Sequence, residues 1–211
     1  MKRTGFLCLF VMLLLTGAVS AQPNDFKART YLGVHGGPTL SMVYFLPSVP
    51  TGFQQNYMGG LMFRHINEKH LGLQVELNYS QRGWTESNGL YARRLDYIDL
   101  PFMSHLNFGR SVQFFFNIGP KIGYMISEEV LLDQTAGSQS YQYTHPVENK
   151  LDYGFVAGLG MIVEIKRQVI QLDVRANYSM SNIFSDNKRD YFDNSNLIYA
   201  SATLGWLIRV N

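Results

Sequence analysis

Four charged residues on the polar faces of alternating segments are the strongest candidates for chemistry in this 211-residue sequence: Glu76, Lys121, Asp173 and Arg175. Such groups could line a polar conduit or a proton path, or they could pair with one another. Because an unpaired buried charge costs several kcal/mol and both signs are present, we predict a central network of ion pairs. The same alternation predicts a larger set of inward-facing charges, which also contains Arg64, Arg82, Asp99, Glu164 and Arg209.

Histidines and one acidic loop are the remaining candidates for metal binding. His35 and His105 fall on the polar side of segments in which polar and apolar residues alternate. Neither has a second metal-ligating residue at a suitable spacing in its segment, so we interpret both as polar interior residues. Segment 186–194 is rich in oxygen ligands, and calcium binding there is an alternative. Its spacing is not that of an EF-hand, and Lys188 and Arg189 weaken its negative field. We therefore predict no metal site and no cofactor.

Catalytic motifs are missing from the sequence. No HExxH, GxSxG, Walker or dinucleotide-binding pattern occurs in a suitable context. The long connections contain His145 and several acids, but no spacing brings these groups together. The sequence predicts no catalytic residues and no enzyme, with an enzyme acting on lipid or peptide near the outer rim as an alternative.

Strict alternation of apolar and polar residues is the main structural signal, and it indicates β-strands. In the clearest case, Ile170, Leu172 and Val174 alternate with Gln171 and Asp173. The alternating segments are about 29–41, 54–66, 71–82, 94–108, 112–127, 151–166, 170–180 and 196–210. Pro101 and Pro120 lie in two of them, and proline lacks the donor that a ladder needs, so we expect a bulge or irregular pairing at both.

The connections between these segments differ in length in a regular way. Three are tight, at 67–70, 109–111 and 167–168, and four are long, at about 42–53, 84–93, 127–150 and 181–195. Short turns at one end and long loops at the other are typical of an up-and-down barrel in an outer membrane. We predict an all-β fold, an eight-stranded antiparallel up-and-down barrel.

Alternation alone does not separate a transmembrane barrel from a soluble, lipocalin-like one. The polar faces are rich in glycine, which would cover nothing on a wet strand but makes room for long charged side chains in a narrow lumen. Large apolar residues continue over ~9–11 positions, the length that a tilted strand needs to cross a membrane. Aromatic residues near the strand ends resemble the girdles of membrane barrels. The predicted outer girdle comprises Tyr57, Tyr79, Tyr124, Tyr153 and Tyr178, with Phe63 and Phe108 near the inner ends.

The N-terminus predicts export. Lys2 and Arg3 precede an apolar core, and Val19–Ala21 offers small residues for cleavage, so we assign residues 1–21 to a signal peptide and 22–211 to the barrel domain. Of the 18 basic residues, these two lie in the signal and no acid does, which leaves 16 basic against 16 acidic residues. This balance predicts no nucleic-acid partner. The remaining chain has no cysteine and therefore no disulfide.

Several stretches resemble the PorT-like outer-membrane β-barrel family of the Bacteroidetes group. They are LGLQVELNYSQRG (71–83), YIDLPF (97–102), NFG (107–109), NIGPKIGY (117–124), DYG (152–154) and YSMSNI (178–183). The resemblance spans nearly the whole predicted mature chain and implies an eight-stranded barrel in the outer membrane of a Gram-negative, Bacteroidetes-like bacterium. The family's namesake is linked to the type IX secretion pathway. One departure is the C-terminus, which ends Arg209-Val210-Asn211 where many such barrels end in an aromatic residue.

The leading functional expectation is a non-enzymatic integral outer-membrane barrel with a structural or interaction role in the cell envelope. The alternatives are an accessory factor in protein secretion, which the resemblance implies, an outer-membrane enzyme, and a narrow pore. The expected partners are outer-membrane lipid and, through the external loops, other envelope or secretion proteins.

Overall fold

The computed structural model describes residues 26–135, 140–184 and 192–211. The predicted signal peptide (1–21) and most of the oxygen-rich loop (186–190) lie outside these residues. In the described part of the chain, no helix is long and apolar enough to cross a membrane.

The described elements are almost all strands. In chain order they are β1 (Arg29–Leu46), β2 (Thr51–Gly52), β3 (Gln54–Ile66), β4 (Leu71–Glu86), β5 (Tyr91–Gly109), β6 (Val112–Asp133), the short helix α1 (Tyr141–Thr144), β7 (Leu151–Ile165), β8 (Gln168–Asn182) and β9 (Asn194–Arg209).

The eight long strands form a closed antiparallel ring. Each of them pairs with its neighbours along the chain, and β9 pairs with β1 to complete the ring, with Val34 opposite Trp206 and Thr39 opposite Ser201. The two-residue strand β2 lies in the first long connection and pairs with the end of β4. The predicted eight-stranded up-and-down barrel is therefore confirmed. Closure leaves no long strand with an unpaired edge, as a sheet surrounded by lipid requires.

Several strands extend beyond their predicted ends on the long-loop side. Strand β4 continues to Glu86, and β5 already begins at Tyr91, so the predicted loop 84–93 is reduced to a tight turn. Strand β6 continues to Asp133. The reason is that the polarity of the inward face changes there. Inward residues such as Trp84 and Tyr91 are apolar and fully buried, which hides the alternation that marks the rest of each strand.

The prolines cause no shift of register, but the ladders are interrupted beside them, which agrees with the predicted irregular pairing. Between β5 and β6 the pairs skip Phe102 and Met103 opposite Gly119 and Pro120, and between β4 and β5 they skip Leu100 and Pro101. The register of β5 with β6 is the same before and after Pro101, from Pro101 opposite Lys121 to Ser104 opposite Ile118. The register shifts of this pair lie at Ala92/Arg93 and Asp96/Tyr97, where the two strands leave the regular barrel. Pro120 points outward and lies opposite Phe155 in an unshifted ladder with β7.

Three tight turns close the other end of the barrel. Two residues of this end have positive φ angles, Gly109 at 121° and Lys166 at 59°. Only glycine fits the first position, because a Cβ there would lie 2.3 Å from the carbonyl oxygen of Val112. Lys166 adopts the left-handed conformation at a cost of about 1–2 kcal/mol.

The two faces of the sheet differ as the alternation predicts, and the lumen is layered. The outward face is a continuous band of exposed apolar side chains, among them Leu61, Leu159 and Leu204 at 59%, 65% and 61% exposure. Polar residues fill the middle of the lumen. An inner apolar layer near the tight turns contains Tyr31, Met62, Ile66, Phe115, Ile162, Val169 and Leu207. A cap cluster at the long-loop end contains Val43, Phe45, Trp84, Tyr91, Leu95, Tyr97, Met125, Val147, Ile183, Phe184, Phe192, Leu197 and Tyr199.

Substituting Gly109→Ala should lower the free energy of unfolding by about 2–3 kcal/mol, because it adds a clash to an unfavourable φ. Gly89 is the matched control, since it also has a positive φ (70°) but nothing lies within 4 Å of its added Cβ. Gly89→Ala should therefore cost only about 1 kcal/mol. Urea unfolding in detergent micelles measures both, and equal losses would contradict the steric explanation.

Candidate functional site

The first half of the buried polar site is centred on Arg175. Its guanidinium donates to Glu76 at 2.5 Å across the lumen and to both carboxylate oxygens of Asp173 at 2.9 and 2.7 Å. Asn78 donates to Glu76 at 3.0 Å, and Thr203 donates to Asp173 at 2.9 Å. The structure thus brings three of the four predicted network residues into direct contact.

Lys121 lies in a second cluster. Its ammonium donates to Asp152 at 2.5 Å and to Ser179 at 3.2 Å. Arg82 donates to the same Asp152 at 2.7 Å and also pairs with Asp99. No hydrogen bond or ion pair joins Lys121 to Glu76, Asp173 or Arg175 within the described ranges. The predicted single network is therefore two neighbouring clusters, because Lys121 is positioned on β6 opposite the start of β7.

Asp152 is the functional-site residue that the sequence reasoning missed. It lies on the polar face of its segment, but at the segment's second residue, next to a long connection. Its position follows from the ring register, in which Gly123 faces both Asp152 on β7 and Asp99 on β5. The sequence indicated only that Asp152 lies on the inward-facing side of its strand. Alternation along one strand does not show which acids on separate strands share a cation.

Glycines on the inward face create the space for both clusters. An added Cβ at Gly158 would lie 2.8 Å from Cγ of Arg175, and one at Gly123 would lie 2.2 Å from a carboxylate oxygen of Asp99. The remaining space is filled by aromatic rings, with the guanidinium of Arg82 stacked 4.2 Å from the ring of Tyr97 and 4.5 Å from that of Tyr199. Large side chains and glycines alternate because eight strands enclose a lumen that is only as wide as its side chains.

A third cross-lumen connection uses neutral partners. The guanidinium of Arg64 donates to Gln74 on β4 at 2.8 Å and to Gln171 on β8. It also lies over the ring of Phe115 in the inner apolar layer, 5.7 Å from the centroid. Arg64 thus lies between the polar middle of the lumen and the inner apolar layer. Its guanidinium is satisfied by two amides on the polar side and packs on an aromatic ring on the apolar side.

The histidines make hydrogen bonds within the lumen. His35 lies 2.7 Å from Oδ1 of Asn78 and 3.4 Å from Oε2 of Glu76. His105 lies 2.7 Å from Oδ1 of Asn117. Across residues 26–135, 140–184 and 192–211 there is no group of three His, Cys, Asp or Glu side chains that could hold a metal ion.

The long-loop end of the barrel is closed by the cap cluster. The rings of Phe45 and Phe192 lie 4.8 Å apart, and the ring of Phe45 meets that of Trp84 edge-on at 5.6 Å. Helix α1 packs over this cluster through Tyr143, whose ring lies 4.6 Å from that of Tyr91. Tyr143 therefore packs over the barrel mouth.

Polar contacts hold α1 in place. Glu86 accepts hydrogen bonds from the Tyr143 hydroxyl at 2.6 Å and from the Gln142 amide at 3.1 Å. Arg93 pairs with Glu128 at 2.7 Å and donates to the carbonyl of His145 at 2.9 Å. Burial and the neighbouring Glu86 raise the pKa of Tyr143 to about 12. The neutral hydroxyl is therefore retained as a donor until the pH rises through that value.

The predicted outer girdle lies on the outward face. The five tyrosines have exposed fractions between 41% and 62%. Tyr57, Tyr153 and Tyr178 are near the long-loop ends of their strands, whereas Tyr79 and Tyr124 lie in the middle of β4 and β6, because these two strands extend beyond their predicted ends. Tyr44, which the sequence reasoning placed in a loop, is also outward and 53% exposed. Phe63 and Phe108 are exposed near the opposite end.

A family model and solved structures resemble this chain. The model described as "Outer membrane protein beta-barrel domain" matches residues 20–185. No curated protein matches the sequence significantly.

Among solved structures, the outer membrane protein OprG from Pseudomonas aeruginosa is similar with a TM-score of 0.53 and 11% identity, over 88% of this chain and 97% of that one. Neisserial surface protein A is similar with a TM-score of 0.49 and 12% identity, over 87% of this chain and 99% of that one. At these identities, the likeness to OprG shows the fold alone.

Breaking the first ion-pair cluster should strongly destabilise the barrel. Arg175→Met leaves Glu76 and Asp173 buried without their cation, so the free energy of unfolding should fall by about 3–5 kcal/mol. Adding Glu76→Gln should restore part of this loss. Urea unfolding followed by tryptophan fluorescence in micelles measures both. The control Arg167→Met, in an exposed turn, should have almost no effect, and an equally small loss for Arg175→Met would contradict a structural role.

Removing the Tyr143 hydroxyl should loosen α1. Tyr143→Phe keeps the contact with Tyr91 but loses the hydrogen bond to Glu86, worth about 1 kcal/mol, so the loop should open roughly fivefold more often. Limited proteolysis of segment 134–146 measures that opening. Tyr44→Phe, at an exposed outward tyrosine, is the control. Unchanged cleavage in Tyr143→Phe would show that the hydrogen bond does not hold the helix.

Proposed function

Because this chain belongs to the outer membrane protein β-barrel family, we propose that it is a non-enzymatic envelope protein whose sealed barrel presents a rigid external surface to other envelope components. The family is that of integral proteins of the Gram-negative outer membrane, with lipid as the first partner.

The observation that carries the proposal is the direct bonding of side chains across the lumen. Arg175 on β8 bonds Glu76 on β4, and Arg82 on β4 bonds Asp152 on β7. Above these bonds the cap cluster fills the long-loop end. A lumen occupied in this way favours a structural or interaction role over a pore.

The external surface follows from the same architecture. Strands β4, β5 and β6 continue beyond the apolar band and support the turn at 87–90 and helix α1. Charged pairs such as Arg94–Glu129 (side chains 27% and 56% exposed) lie on the outward side of this extension. Partner-binding residues are commonly carried on loops that a rigid scaffold positions, and this extension is such a scaffold.

The outer tyrosines are proposed to mark the membrane interface on this side. Two of them, Tyr79 and Tyr124, lie in the same register row, since both are opposite Ile98 on β5. Amphipathic rings at this level would anchor the barrel against vertical movement. The signal peptide of residues 1–21 belongs to the same proposal, since an outer-membrane protein has to be exported.

Single cysteines test the orientation, because the only natural cysteine, Cys8, lies in the proposed signal peptide. Ser87→Cys, at the long-loop end, should react in whole cells with a membrane-impermeant maleimide. Ser111→Cys, in a tight turn at the other end, should react only after the outer membrane is permeabilised. The unsubstituted protein should not react at all, and labelling of Ser111→Cys in intact cells would reverse the proposed orientation.

The secretion role is the second candidate, and it rests on the resemblance to the PorT-like family, which also favours a Bacteroidetes-like source. Deleting the gene tests it directly. Loss of type IX-dependent proteins from the medium, restored by the intact gene, would support an accessory role in secretion. Unchanged secretion together with altered envelope integrity would support the structural role.

A further inference from the structure

The tight-turn end of the barrel contains a blind vestibule of about 440 Å³. Its floor includes Tyr31 and Ile66, which belong to the inner apolar layer, and Phe26 packs against that layer. The vestibule therefore opens away from the lumen rather than into it. A compartment closed in this way can hold a ligand but does not lead through the barrel.

The vestibule is strongly basic. Its lining has a single carboxylate, that of Glu164, against five cationic side chains, those of Arg29, Lys69, Arg110, Lys166 and Arg209. Glu164 is shared between Arg209 at 3.1 Å and Arg29 at 3.7 Å. These two arginines are thus oriented by the protein itself.

Three of the cations have no counter-ion among the residues that the structure describes. Lys69, Arg110 and Lys166 form no ion pair with any residue in the described part of the chain. Each comes from a different tight turn, so they approach the opening from separate sides of the ring. Lys166 moreover holds a left-handed φ of 59°, where asparagine or glycine would be less strained. All three residues are exposed to solvent, and their combined field raises the local concentration of anions at the opening.

A buried acceptor adds a second preference. Asn107 lines the vestibule and is nearly buried, and its amide nitrogen donates to Gln113 at 2.9 Å. Its Oδ1 has no hydrogen-bond partner among the described residues. This oxygen is itself inaccessible to solvent, so a hydroxyl or ammonium donor beside the anionic group of a ligand would satisfy it once the Asn107 side chain turns toward the vestibule.

We propose that the vestibule binds a phosphate ester that also bears a hydroxyl or ammonium group. The arginines offer planar pairs of donors that match phosphate oxygens, and the lysines add point charges around them. Two sources share this chemistry: the headgroup of a phospholipid from the adjacent leaflet, and a soluble phosphate ester on the same side of the membrane. This site is independent of the external surface proposed above, which lies at the opposite end.

Calorimetric titration of the full-length protein in maltoside micelles tests the proposal with two probes. Glycerol 3-phosphate represents the soluble source, and dihexanoyl phosphatidylglycerol represents the lipid. The test variant is Lys69→Gln/Arg110→Gln/Lys166→Gln, which removes the unpaired cations without breaking an ion pair. Lys150→Gln, at an exposed lysine of the long-loop end, is the control, and heat-modifiability on a gel checks that each variant is folded.

Binding of at least one probe should weaken about tenfold or more in the triple variant and stay unchanged in Lys150→Gln. Binding of both probes would assign the site to the shared headgroup chemistry, and binding of phosphatidylglycerol alone would assign it to lipid. Absence of binding to both probes, or equal affinity in the folded triple variant and the unsubstituted protein, would overturn the proposal.

Discussion

The narrowness of a closed eight-stranded ring is the constraint on which this structure depends. Closure satisfies the backbone of every long strand, and it also fixes a lumen that is only as wide as the side chains inside it. A charge placed in that lumen has no bulk water and must find a partner on another strand. Arg175 meets Glu76 and Asp173, and Arg82 meets Asp99 and Asp152, and this pairing offsets the desolvation penalty of the buried charges.

Alternation in the sequence was sufficient to predict the ring, since a two-residue period with large apolar residues on one face specifies both strands and faces. It failed where the inward face changed from polar to apolar. Trp84 and Tyr91 point inward like Arg82, yet their hydrophobicity hides the alternation of inward polar and outward apolar residues. The strands therefore appeared to end early, and the folded cap above them was interpreted as loop.

The candidate site could be predicted in composition but not in connectivity. Residues 173 and 175 share a face and a strand, so their contact follows from sequence spacing, and Glu76 has the parity to join them. Which acid holds Lys121 depends on the stagger between strands around the ring, which no local pattern encodes. Asp152 was missed for that reason, although its partner Lys121 was predicted to face inward and is buried in the structure.

The two ends of the barrel have different chemistry, and the sealed lumen separates them. Aromatic packing and α1 close one end, while the other is surrounded by five cations, of which Lys69, Arg110 and Lys166 have no ion-pair partner among the described residues. Single-channel recording in a planar bilayer tests the sealed lumen most directly. We predict no conductance steps for the folded protein, verified by its heat-modifiability, at voltages where a porin control conducts. Reproducible steps from the unsubstituted barrel would contradict a lumen closed by cross-strand ion pairs.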